Sequence, residues 1–203
     1  MTDSAFPPWE PPLAGTEVEH LLGALDRQRW TLRWKADGLD VEGLNFRVGV
    51  STLTLGGLLM HLAGVERSLA TVRLDGSPIG EPWASADWDA DPDWDFTWAE
   101  SQEPTVLYDM YDGAVAFARD RITVAIAEGG LDQRVALGAP EFHVSLRRVL
   151  FDVLEEYARH TGHADLLREA VDGLVGEDPP EDWRPGAEPE RVRIRFSMAI
   201  EGS

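Results

Sequence analysis

The chain has 203 residues, which suits one domain or one domain with an extension. Hydrophobic residues make up 43% of it, an ordinary share that supports a sizeable core, and there is no cysteine. Disulfides, thiolate metal ligands and a cysteine nucleophile are therefore excluded, and any thiol chemistry needs a thiol from outside the chain. The balance of 37 acidic against 18 basic residues gives a formal net charge of −19. Such a charge argues against nucleic acid as a partner and against an anionic membrane surface. No apolar run approaches the roughly 20 residues of a membrane span, and Met1–Pro12 lacks the pattern of a secretion signal. A soluble, cytoplasmic protein is expected.

Residues 1–15 hold four prolines and read as an extended arm. A first helix starts near Thr16, where Thr16-Glu17-Val18-Glu19 has the form of a capping box. Val18, Leu21, Leu22, Leu25 and Leu32 follow at helical spacing. Asp37 to Gly49 reads as loop. A second helix begins around Thr54, with Leu55, Leu58, Leu59, Leu62, Val65 and Leu69 as its apolar stripe, and Asp75-Gly76-Ser77-Pro78 ends it. Residues 76–103 form a long connection in which Trp83, Trp88, Trp94 and Trp98 stand among many aspartates. Such rings tend to bury, so this segment is expected to pack over one end of the helices. A third helix runs from about Thr105 to Glu128, with Gly129-Gly130 as its stop. Residues 131–144 read as loop with room for short strands. A fourth helix starts at Ser145, a good N-cap, and ends at Gly173. The domain expected from this is an all-α bundle over residues 16–175. Residues 176–203 are left as linker and tail, whose alternating Arg191–Met198 has the period of a strand.

The polar residues that interrupt an apolar face carry the chemistry. On the fourth helix, Val149, Val153, Glu156, His160, His163 or Ala164, Leu167 and Val171 step by three and four and share one face. The middle of that face is carboxylate and imidazole. His61 interrupts the stripe of the second helix in the same way. An unpaired carboxylate removed from water is costly, and a metal cation resolves the cost because carboxylate and neutral imidazole are its natural ligands. Glu156 and His160 are one turn apart, as are His160 and His163, but Glu156 and His163 are about 10 Å apart along the axis. Two ligand sets follow: His61, Glu156 and His160, or His61, His160 and His163. Asp165 is the candidate to orient a ligand from behind. His20 and His143 read as exposed, and Glu66-Arg67 as a salt-bridged pair.

These same residues carry a resemblance. The run Gly57-Leu58-Leu59-Met60-His61-Leu62-Ala63-Gly64-Val65-Glu66-Arg67 resembles the second helix of the DinB-like superfamily. The closer likeness is to its actinobacterial branch of uncharacterised proteins related to mycothiol-dependent S-transferases. Glu155-Glu156-Tyr157-Ala158-Arg159-His160-Thr161-Gly162-His163-Ala164-Asp165 resembles that branch's closing motif, and the tryptophan- and aspartate-rich segment 83–98 is similar too. The likeness covers about residues 13–175. It implies a four-helix bundle with a long crossover loop, outside which the strand-like C-terminal extension falls, and a divalent metal, zinc or nickel, near one end. The family's ligands are one histidine on the second helix, matched by His61, and two residues spaced by four on the last, matched by Glu156 and His160. Glu156 stands where many members have histidine, as it does in relatives of maleylpyruvate isomerase.

The resemblance further implies a metal-activated thiol (mycothiol or another low-molecular-weight thiol) as co-substrate, attacking a small-molecule electrophile in an S-transferase or isomerase reaction. A metal-dependent hydrolase using bound water and a non-catalytic binding bundle are the competing readings. A homodimer is the expected oligomer.

Overall fold

The computed structural model describes residues 7–137 and 139–186. Helix α1 spans Glu17–Ala36, α2 Val41–Leu44, α3 Leu55–Ser68, α4 Trp94–Ala99 and α5 Pro104–Gly129; strands β1 (Arg134–Leu137) and β2 (Ala139–Ser145) follow, and α6 spans Leu146–Asp172. The chain is predominantly helical, as its periodicity predicts. The strand-like Arg191–Met198 lies outside the described residues. No helix among the described residues is long and apolar enough to cross a membrane.

Local chemistry sets the helix ends. The Thr16 hydroxyl accepts from the Glu19 N–H at 3.3 Å while Glu19 Oε2 accepts from the Thr16 N–H at 2.7 Å, so two orphan donors of α1 are satisfied reciprocally. Thr54 caps α3 by accepting from Gly57 at 3.0 Å, and Ser145 caps α6 by accepting from Arg148 at 3.2 Å. Helix α3 continues as a π-helical turn over Leu69–Arg73 before the chain reverses at Gly76, whose φ of 74° suits glycine. Gly130 (φ 71°) and Gly173 (φ 79°) end α5 and α6 in the same way.

One segment expected as loop contains a helical turn, and the segment read as loop with room for short strands forms a hairpin. Within 37–49, Asp40 accepts from the Gly43 N–H at 2.9 Å and starts the single turn α2. Within 131–144, β1 and β2 pair as an antiparallel hairpin that sets Val135 opposite Val144. The turn α2 is too short for periodicity to reveal it.

Helix α1 lies along α6, and α3 along α5; α4 packs onto α3. The core is built where their apolar stripes meet. It includes Leu25 and Leu32 from α1, Leu58, Leu59 and Leu62 from α3, Ala118 and Ile122 from α5, and Leu150 and Leu167 from α6. Each buried large aliphatic chain contributes about 1.5–3 kcal/mol.

One polar network runs through this core. Arg29 of α1 donates to both carboxylate oxygens of Glu66 of α3, at 2.7 Å each. Tyr157 of α6 donates to Glu66 Oε1 at 2.8 Å, and Tyr111 of α5 donates to the Arg29 carbonyl at 3.1 Å. All four side chains are buried. Glu66 therefore pairs with Arg29, and not with its neighbour Arg67 as expected. Adjacent helical residues do not face each other, and Arg67 instead donates to the Ile79 carbonyl and lies over Phe117.

The chain after α6 returns to α1. Lys35 Nζ donates to the Gly176 carbonyl at 2.7 Å, Arg27 pairs with Asp178, and Trp183 sets its ring edge-on against Trp30.

Candidate metal centre

His61 sits on the second turn of α3, between the buried Leu58 and Leu62. Helix α6 brings Glu156 and His160 to the same place, one turn apart, between the buried Val153 and Ala164. The three residues offer ligand atoms that all lie within 4.8 Å of one another. His61 Nε2 is 3.1 Å from Glu156 Oε1, and His160 Nε2 is 3.1 Å from the same oxygen. The cluster faces the core only in part: the Glu156 side chain is 36% exposed, His61 28% and His160 12%. Through His61 it borders a cleft.

A fourth residue joins from the tryptophan-rich connection. Asp95 of α4 brings Oδ2 to 3.0 Å from His61 Nδ1. An ionised carboxylate only accepts, so His61 carries its proton on Nδ1 and, when neutral, turns the Nε2 lone pair toward Glu156. A lone pair and a carboxylate oxygen repel unless a proton or a cation lies between them. His160 Nε2 meets the same oxygen under the same condition. Two carboxylates thus converge on two imidazoles, and Asp95 Oδ1 is buried with no hydrogen-bond partner among the described residues. The donor set of two imidazole nitrogens and one carboxylate, with excess negative charge around it, fits a divalent cation.

The titration of these groups reflects the same geometry. Burial alone lowers the His61 pKa, but hydrogen bonds and charge from Asp95 and Glu156 outweigh it and hold the group above its ordinary value. Burial alone raises Glu156, and the contacts with His61 and His160 outweigh that and hold it below the usual carboxylate range. Burial, with the positive charge of His61 beside it, pushes His160 down.

Of the two ligand sets read from the sequence, the fold brings His61, Glu156 and His160 together. His163 stands behind His160, with its Nδ1 at 3.3 Å from His160 Nδ1. Asp165 is not the residue that orients a ligand: its carboxylate pairs with Lys35 Nζ at 2.8 Å. The carboxylate that stands behind a candidate ligand is that of Asp95, hydrogen-bonded to His61 Nδ1, and sequence reasoning missed it. The available signal was the Trp94-x-x-x-Trp98 spacing of one helical turn, with Asp95 on a short helix rather than in loop. His20 and His143 are exposed.

Beside the cluster opens a cleft of about 380 Å³, whose lining includes His61 and Asp95 together with Val65, Ile79, Trp83 and Trp88. Trp83 is buried at 4% exposure, and Gly64 leaves room for its indole: a Cβ there would stand 2.8 Å from Nε1. Trp88 and Trp94 pack edge to face with centroids 5.5 Å apart. The aromatic connection therefore walls the cleft and also delivers Asp95.

The family model described as mycothiol S-transferase matches residues 20–173, which span α1 to α6 and include all four residues of the cluster. The chain belongs to the mycothiol S-transferase family, a DinB-like family. No curated protein matches the chain. The mycothiol S-transferase match carries the expected resemblance across nearly the whole helical region, and its name points to a low-molecular-weight thiol as the kind of substrate the family uses.

Proposed function

We propose that the protein is a divalent-metal-dependent thiol S-transferase whose DinB-like four-helix bundle holds the cation through His61, Glu156 and His160. The observation that carries this reading is the convergence of two imidazole nitrogens on one carboxylate oxygen at the edge of an open cleft. Zinc and nickel both suit such a set of nitrogen and oxygen donors. When bound, the metal supplies Lewis acidity that favours the thiolate form of an incoming thiol such as mycothiol.

The chain's own residues do the rest. Asp95 holds the His61 tautomer and ring orientation through Nδ1. Glu156 and His160 present their donor atoms from successive turns of one rigid helix. Trp83, Ile79 and Val65 keep the cleft apolar and limit water beside the sulfur. In the transfer, the thiol proton passes to solvent and sulfur forms a bond to the electrophilic carbon. The bond from that carbon to its leaving group breaks, and the electron pair departs with the leaving group. The chain holds no cysteine, so the thiol is a co-substrate.

The test combines elemental analysis of protein purified without added metal with consumption of an alkyl or aryl halide in the presence and absence of low-molecular-weight thiols. One equivalent of metal and strictly thiol-dependent turnover are expected. Turnover without thiol would replace this reading with a hydrolase, and failure to use any thiol would remove it.

A further inference from the structure

The cleft contains a cation that the metal cluster does not use. Arg73, on the π-helical turn after α3, lines the cleft, and its Nη1 is buried with no hydrogen-bond partner among the described residues. The chain carries a net charge of −19, and most of its described arginines hold a carboxylate, with Arg67, Arg134 and Arg184 as the exceptions besides Arg73. Arg27, Arg29, Arg33, Arg119, Arg121 and Arg147 each hold a carboxylate. Among the described residues Arg73 forms no ion pair. Arg73 as a residue is half-buried and lines the cleft, so it brings a positive charge without a carboxylate partner to the cleft wall, where an anionic acceptor would form a charge-assisted contact. Trp83 lines the same cleft, with its Nε1 packed against Gly64 and without a partner among the described residues.

The remaining lining limits what the acceptor is. Val65, Ile79, Trp88, Val149 and Val153 offer apolar surface to the body of a ligand. Asp95 and Asp152 also line the cleft, and Asp152 is itself neutralised by Arg148 at 2.6 Å. One unpaired guanidinium beside two carboxylates favours a singly charged ligand over a dianion.

We propose that the electrophile taken by this cleft is a monocarboxylate with an apolar body, its carboxylate bound by Arg73 and its body seated against the tryptophan wall. This deepens the transferase reading and rests on it for the reaction, while the binding itself needs neither thiol nor metal.

The experiment is a titration of the full-length protein, followed by tryptophan fluorescence and calorimetry, with three inert probes. These are 3-phenylpropanoate, its neutral amide 3-phenylpropanamide, and phenyl phosphate. Each is run with chelator present and again with zinc added, because a carboxylate can also bind a metal. Wild type is expected to bind the acid at least about ten-fold more tightly than the amide in both conditions, as a charge-assisted guanidinium–carboxylate contact warrants. R73Q and R73M are expected to bring acid and amide to within about two-fold of each other, since the charged partner is gone.

Several results would overturn the proposal. These are equal or absent binding of acid and amide in wild type, an acid preference that appears only with zinc, a preference that survives in either folded variant, or tighter binding of phenyl phosphate than of the acid. Circular dichroism checks that each variant folds; if one does not, the other variant and the wild-type comparison decide. Thiol transfer is not read in this titration. A flat titration therefore leaves the thiol assay standing, and a failed thiol assay leaves the titration standing.

Discussion

Asp95 Oδ2 accepts from His61 Nδ1 at 3.0 Å across 34 residues of sequence, so the tryptophan-rich connection between α3 and α5 is part of the candidate metal centre as well as its cover. Residues that hold the second nitrogen of a ligating histidine tune metal affinity by about 10–100-fold. Asp95→Ala should weaken metal binding by that order while leaving far-UV circular dichroism unchanged. Competition against a chromophoric chelator measures it, and an unaltered affinity would remove Asp95 from the centre.

Gly57 gives a second way to reach the same centre without touching a ligand. A Cβ at this position would stand 2.0 Å from Phe96 Cδ1, so α4 cannot keep its seat on α3 if the glycine is replaced. Gly57→Ala is expected to cost about 1–3 kcal/mol by overpacking. It should also weaken metal binding, because the displaced α4 carries Asp95. Denaturant melts and the same chelator competition read the two effects separately.

The buried Arg29–Glu66 pair is expected to dominate stability. Removing one partner of such a pair leaves an uncompensated charge and costs about 3–5 kcal/mol. Arg29→Met should therefore destabilise strongly. Tyr157→Phe should cost less, about 1.5–3 kcal/mol, the scale of one hydrogen bond to a charged group, since Glu66 keeps both bonds from Arg29. Chemical denaturation of each variant gives the comparison.

Metal affinity should depend on pH with a sign set by His61. Burial acts to lower its pKa, Asp95 and Glu156 act to raise it, and the net direction is upward. In metal-free protein His61 thus stays protonated to a pH above the ordinary value of about 6.5. A metal must displace that proton. Apparent affinity is therefore expected to fall as pH drops through the raised pKa and to level off above it. Stability of the metal-free fold should run the other way: the contribution of His61 is full below about 6.5 and is lost as pH rises through the raised value. Melts of chelated wild type and His61→Gln across this range, beside metal titrations, check both signs.

Much of this protein is legible along the chain. The capping box at Thr16–Glu19, the stop at Gly130 and the leucine stripe of α3 are local features, governed by contacts within a turn or two, and they mark the long helices directly. The anomaly of His61, Glu156 and His160 on otherwise apolar faces is local as well, which is why the candidate ligands can be named before any coordinates. The fold alone decided their company. Whether Asp95 or Asp165 stands behind a histidine, whether Glu66 pairs with Arg67 or Arg29, and whether Arg73 finds a partner all depend on how helices distant in sequence are set against one another. Side-chain periodicity says which face of a helix is buried, but the choice of facing residues follows from the packing of the whole set of helices.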